Sequence, residues 1–173
     1  MEEKIYLGIL GEYPIEDVEC DADFDSDEEY YGFIRDTFAK YSENMERLDD
    51  TLLYNMYKAL YDCEYPLWEK EEFKKIIDED KLPDGFWNMS EEEKTKVLYG
   101  FEFDENDAKE KITNHLPFIN LLKLKDDLEI HNVTIEQDYG EIYIEFFGIC
   151  NFFTAMVTVD YENGFEVKAF QAT

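Results

Sequence analysis

Asp21-Ala22-Asp23-Phe24-Asp25-Ser26 places three carboxylates at alternate positions, which is how a calcium loop of the EF-hand kind begins. Such a loop continues with glycine at its sixth position and a bidentate glutamate at its twelfth, and this chain has Ser26 and Gly32 there. Carboxylates two residues apart in an extended chain line one face and do not converge on an ion, so no metal site is expected here. General acid–base work at neutral pH would fall to His115 or His131. His131 sits among apolar neighbours in a strand pattern, on the side opposite Ile130. His115 falls near a helix end, where capping or a dipole role accounts for it. Neither histidine accompanies G-x-S-x-G, a P-loop, G-x-G-x-x-G or H-E-x-x-H. Pairs of carboxylates carry no information among 44 acids. The expectation is therefore a protein that is not an enzyme and uses no cofactor.

The acids are informative through their distribution. Val18 to Asp25 alternates strictly, turning Val18, Cys20, Ala22 and Phe24 inward and Glu19, Asp21, Asp23 and Asp25 outward as the anionic face of a half-buried strand. Asp27 and Glu28 extend that charge into the first turn of a helix. The first thirty residues hold twelve acids and one lysine, within a chain of 44 acidic and 16 basic residues and net charge -28. Self-repulsion on this scale disfavours a compact state. It also works against direct nucleic-acid binding, which depends on Lys and Arg meeting phosphates, and against anionic membranes. Glu19, Asp21, Asp23, Asp25, Asp27 and Glu28 are thus the candidate surface for a basic protein partner. The opening residues MEEKIYLGILGEY lack the basic region of a signal peptide, and no segment has transmembrane length, so a cytoplasmic location is expected. Cys20, Cys63 and Cys150 are widely spaced in apolar patterns, with no CxxC pair, and read as buried thiols.

At 45% hydrophobic and 17% aromatic residues, 173 residues can bury a core as a single domain. Lys4 to Leu10 predicts a strand with Ile5, Leu7 and Ile9 on one face. Ser26 with Glu29 forms a capping box before Tyr31, Ile34, Phe38 and Tyr41 at helical spacing. Met45, Leu48, Leu52, Met56, Leu60 and Cys63 continue the stripe to Tyr65-Pro66 as one bent helix or two, and that stripe reads as a core face. Residues 67–116 read as a helical insert. It comprises a surface helix over Glu69 to Glu79, a turn at Lys81 to Gly85, a second capping box at Ser90 and Glu93, and a helix from Asp104 to Leu116. Trp68, Phe86 and Trp87 would pin it to the core. Beyond Pro117 the period becomes two, with an irregularity at Asn132 in the strand from Leu128 to Ile135. The fold class expected is α+β: a C-terminal antiparallel meander with N-terminal strands, packed on a helix pair.

The last hairpin can be read to its register. A two-residue Asn163-Gly164 loop would set Tyr161 against Glu166 and Val159 against Lys168. A three-residue loop, Glu162 to Gly164 with Gly164 left-handed, pairs Tyr161 with Phe165, Val159 with Val167 and Val157 with Ala169, leaving Asp160 opposite Glu166. The second arrangement segregates apolar from charged residues and is the one expected.

The helix segment FIRDTFAKYSENMERLDDTLLYNMYKAL and the strands from LEIHNVTI to FEVKAF resemble those of small acidic bacterial domains that are uncharacterised or belong to the immunity proteins of toxin systems. Members often carry a Trp-Asp and Glu-His-Gly signature after the penultimate strand. This chain has NFFTAMVTVDYENG there, so no functional residue is carried over. The resemblance implies a neutraliser that binds a cognate toxin, often a basic nuclease. Two other readings stand beside it: a nucleic-acid mimic occupying a DNA- or RNA-binding protein, and a housekeeping domain whose charge serves solubility.

Overall fold

In the computed structural model, which describes residues 2–63, 66–100, 118–148 and 153–173, alternating β-branched and aromatic residues build a five-stranded sheet under a helix pair. The fold is α+β. The sheet order is β3 (Glu19–Cys20), β4 (Glu129–Glu136), β5 (Glu141–Gly148), β6 (Phe153–Asp160) and β7 (Glu166–Ala172). β4 to β7 form the expected antiparallel meander, and β3 joins it parallel to β4. Val133, Ile135, Ile142, Ile144, Phe146 and Val157 are fully excluded from solvent on the inner face. At roughly 25 cal/mol per Å² of apolar surface, this face is the main favourable term holding the sheet to the helices.

The covering helices are α1 (Asp27–Glu43) and α2 (Met45–Cys63). The helical ladder breaks at Asn44, whose φ of -109° leaves the helix, whose backbone N–H donates to the Tyr41 carbonyl at 3.0 Å and whose side-chain Nδ2 donates to the Lys40 carbonyl at 2.9 Å. The stripe is therefore two helices. Ile34, Phe38, Tyr41, Leu48, Leu52, Met56 and Leu60 are all buried, as a core face should be. The Tyr41 hydroxyl is buried without a hydrogen-bond partner among the described residues. Ser26 accepts the Glu29 amide at 3.2 Å, while the Glu29 carboxylate reaches the amide of Asp25 rather than that of Ser26.

Two N-terminal expectations are corrected. The strand from Lys4 ends at Tyr6 as β1 (Lys4–Tyr6); a 3-10 turn over Gly8–Leu10 then returns the chain as β2 (Glu12–Pro14) in a separate hairpin. Gly8, with φ of 60°, causes the reversal, and a Cβ there would overlap the Asp49 carboxylate. Likewise the strand over residues 18–25 is regular only at Glu19–Cys20. The Asp21 amide adds one further bond to the Ile135 carbonyl, at 3.2 Å.

The helical insert is more deeply engaged than its sequence suggests. In place of a surface helix over Glu69 to Glu79 stands the single turn α3 (Phe73–Ile76), with Phe73, Ile76 and Ile77 buried. Backbone bonds from Asp78 to Phe118 and from Asn120 to Ile76, both 2.8 Å, tie it to the chain before α5 (Leu121–Asp127). Ser90 and Glu93 form a complete capping box on α4 (Glu91–Tyr99). Phe86 is buried, with Trp87 half-buried against it and against Phe73, beneath the Lys74 ammonium. The expected helix from Asp104 to Leu116, with His115, lies outside the described residues, as does Cys150; the side chain of Cys63 does too.

The final hairpin keeps part of its expected register. Val159 pairs with Val167 and Asp160 with Glu166, but a bulge at Lys168 shifts the ladder, so that Val157 meets Phe170 and Thr158 meets Ala169. Tyr161 and Phe165 lie inside a wider loop instead of pairing. Gly164 is left-handed at φ of 85°, and Phe165 follows it at 56°. Positive φ is costly for an aromatic residue. Two interactions offset that cost. The Phe165 ring is buried edge-on to Tyr41, and the Arg47 guanidinium donates to the carbonyls of Gly164 and Phe165 at 2.6 and 2.9 Å.

Nothing lies within 4 Å of a Cβ built on Gly164, so Gly164→Ala should cost only the backbone term, about 1 kcal/mol. Phe165→Ala should cost about 3–5 kcal/mol through the lost ring. Urea unfolding of the two variants measures the difference.

Asp49 generates a second prediction. Its carboxylate accepts the Ile9 amide at 2.9 Å, and burial pushes its pKa up to about 6, with that amide and the Lys125 ammonium pulling it back. The folded state therefore holds this proton more tightly than the unfolded chain, and stability falls as pH rises from about 4 to about 6. Asp49→Asn keeps the acceptor and removes the charge. It should flatten that fall and raise Tm at neutral pH, as read by thermal melts across the range.

Candidate functional site

The expected partner surface is exposed as the alternation requires. Val18 is buried, and Cys20, Ala22 and Phe24 are half-buried. Glu19, Asp21, Asp23, Asp25, Asp27 and Glu28 all face solvent. The Phe24 ring anchors the segment by packing on Tyr30 and Phe33, with centroids 5.8 and 5.4 Å away. The segment nonetheless divides. Glu19 and Asp21 stand at the edge of the sheet, Glu19 beside Thr134, while Asp21 accepts the Gln137 amide at 2.8 Å. Asp23 and Asp25 follow an irregular path to the bend that starts α1, where Asp27 and Glu28 complement the helix dipole.

Asp21 is also the end of a longer feature, one that the linear pattern did not disclose. Glu136 pairs with Glu141, Glu141 with Asp160, and Asp160 with Glu166, so four carboxylates occupy directly opposed positions on β4, β5, β6 and β7. All of them lie on the outer face, at the end of the sheet that carries the turns over residues 137–140 and 161–165. Those turns pack together: the Tyr161 amide donates to the Gly140 carbonyl at 3.0 Å. A Cβ on Gly140 would collide with the Glu162 side chain. Only the Asp160–Glu166 pair was readable from sequence. A matching signal existed in Glu136 and Glu141, which flank the Gln137 to Gly140 turn symmetrically.

Like charges directly opposed across a ladder destabilise a sheet. The chain tempers the row from the Lys168 bulge, where the ammonium reaches Glu141 Oε1 at 2.5 Å; the Tyr143 hydroxyl donates to Glu141 Oε2. Lys168 first, and then Tyr143, hold the Glu141 pKa below the ordinary carboxylate value, while the Tyr143 phenol is pushed up to about 12. The carboxylate of Asp160 accepts from the Asn163 side chain and from the amides of Asn163 and Glu162, which lowers its pKa as well. Both shifts lead away from neutrality. A general acid or base works best with a pKa near the operating pH, so these groups suit permanent charge better than proton transfer.

Elsewhere, His131 lies at the shift in register between Ile130 and Asn132, one residue from the expected irregularity, and its exposed ring rests 5.2 Å from that of Phe147. Cys20 is a half-buried free thiol whose pKa burial raises. Among the described residues, no group of three His, Cys, Asp or Glu side chains could hold a metal ion. Among those residues, too, no helix is long and apolar enough to cross a membrane. An open groove of about 260 Å³ between α2 and β7 is lined by Arg47, Asp50, Thr51, Glu166 and Val167, with Arg47 already committed to the hairpin carbonyls.

No family model, curated protein or solved structure matches the chain. The chemistry of the surface is thus the basis for any functional reading. That surface offers aligned negative charge, buried at Glu141, half-buried at Glu136 and Asp160 and exposed at Glu166.

The Glu141–Lys168 pair gives this site its own test. A depressed carboxylate pKa contributes stability above the unfolded value, about 4.3, and loses it as pH falls through the folded value. Lys168→Met should therefore be less stable than the native protein at neutral pH. The deficit should shrink by about pH 3, as compared by urea midpoints at the two pH values.

Proposed function

We propose that this protein is an acidic protein-binding domain, an inhibitor of the immunity type, that docks a basic partner protein and blocks its working surface. One observation carries the reading: the carboxylate row Glu136, Glu141, Asp160 and Glu166, with Asp21 held beside its β4 end through the Gln137 amide, in a chain whose Glu19, Asp23, Asp25, Asp27 and Glu28 are also exposed. A compact domain retaining a charge of -28 and opposing like charges across its sheet holds a stability cost that a cationic partner would relieve. Charge of this kind steers encounter and sets orientation more than it sets affinity. The resemblance to toxin-immunity domains points to the same class of partner, and no step of chemistry is assigned to this chain. Nucleic-acid mimicry is the weaker reading, because it calls for an uninterrupted run of acids and Lys168 sits against the middle of the row.

A pull-down from the native cell is expected to recover a basic protein whose association rate falls steeply with rising salt. The triple change Asp21→Lys, Asp23→Lys and Asp25→Lys should slow that association at least about tenfold at low salt. It should leave the domain folded, because these side chains are exposed, with the melt lowered by no more than the loss of the Asp21 bond to the Gln137 amide. Association that ignores both salt and the charge reversal would remove the electrostatic basis of the proposal.

A further inference from the structure

Asn163-Gly164 turns the last hairpin, and the same two residues carry chemistry of their own. The backbone nitrogen of the residue after an asparagine can attack the side-chain carbonyl carbon Cγ. It does so readily where that residue is glycine, because a Cβ crowds the approach. Of the nine asparagines in the chain, only Asn163 precedes a glycine.

The fold leaves the attacking atom open. Glu162, Asn163 and Gly164 are all exposed. Among the described residues, no hydrogen bond occupies the Gly164 N–H. Gly164 is left-handed at φ of 85°, and nothing lies within 4 Å of a Cβ built on it, so solvent base can reach its nitrogen. The asparagine, by contrast, is held. Its Nδ2 donates to Asp160 Oδ2 at 2.8 Å, and the backbone amides of Glu162 and Asn163 donate to Asp160 Oδ1, each at 3.1 Å.

We propose that Asn163 is a site of spontaneous deamidation and that Asp160 is the restraint that sets its rate. Base removes the Gly164 N–H proton, and the nitrogen bonds to Asn163 Cγ. The Cγ–Nδ2 bond breaks, and ammonia leaves with a proton from solvent, giving a cyclic succinimide. Water then opens either C–N bond of the imide to aspartate or isoaspartate. The sum is asparagine plus water going to a carboxylic acid plus ammonia, with no oxidant or reductant. The Nδ2 bond opposes this at two points: it ties up the side chain that must turn onto Gly164, and a carboxylate cannot supply the proton that departing ammonia takes.

The product inverts the contact. A donor to Asp160 becomes a carboxylate beside it, next to strands where Asp160 already opposes Glu141 and Glu166. Isoaspartate also lengthens the main chain just before Gly164 and Phe165, whose carbonyls Arg47 holds. The converted turn is therefore the less stable one.

The test incubates the full chain at mildly alkaline pH in water enriched in heavy oxygen and follows it by peptide mapping with mass spectrometry. Residue 163 is expected to take up solvent oxygen ahead of every other asparagine. Asp160→Ala should speed its conversion about tenfold, as loss of a charge-assisted hydrogen bond would, and Asp160→Asn, which keeps an acceptor without the charge, should fall between. Gly164→Ala should slow it at least about tenfold. Thermal melts confirm that the variants are folded, and converted protein separated by anion exchange should melt below the unconverted. In concentrated urea the native chain and Asp160→Ala should convert equally, since the restraint exists only in the folded turn. Conversion at residue 163 no faster than at the other asparagines would overturn the site. Equal rates for the native chain and both Asp160 variants when folded, or a difference that persists in urea, would overturn the restraint.

Discussion

The constraint on which this structure depends is the two-residue period of β5 and β6. Once Ile142, Ile144, Val157 and Val159 are committed to a face with no solvent exposure, every intervening side chain is committed to the other face. A slip of one residue would bury Glu141 and Asp160 against the helices and expose the core. The register is therefore fixed by hydrophobic burial, and the carboxylates inherit their alignment from it. The row is a by-product of packing in its position, though its residue types are free. Glutamine or threonine would fit the same sites, so four opposed carboxylates are a choice of chemistry that the fold does not require.

Much of the architecture was legible in the sequence because it is encoded locally. Ser90 and Glu93 cap their helix through contacts three residues apart, and the Val159–Val167 pairing follows from which side chains can face a core. The meander and the helix pair follow from periods of two and 3.6. What escaped was set by contacts distant in the chain. Position 8 is a glycine because Asp49, far along the chain, occupies the space where a Cβ would stand. Phe165 holds a positive φ because Tyr41 and Arg47 receive it. The turn at Phe73 is buried by packing partners that the local apolar count does not reveal. The bulge at Lys168 shifted the far half of the hairpin by one residue, which linear pattern alone could not place.

The candidate site divides in the same way. The exposed faces of Glu19, Asp21, Asp23 and Asp25 were visible as alternation. The row from Glu136 to Glu166 was not, since its members are separated by turns and strands and become neighbours only through three successive registers. Its electrostatics is likewise a property of the assembled sheet. Glu141 is the most enclosed of the four, with like charges on both neighbouring strands, and it is the one supplied with both an ammonium and a phenol.

β7 is the last strand of the sheet, and its outer side carries the unpaired backbone groups of any such edge. Edges of this kind recruit strands from other molecules unless something spoils their geometry, and a bulge with a lysine in mid-strand does so. Lys168 supplies both. The same single-residue insertion that carries an ammonium to the acidic row also makes β7 a poor template for another chain. Strand-by-strand polymerisation is thus disfavoured at this edge.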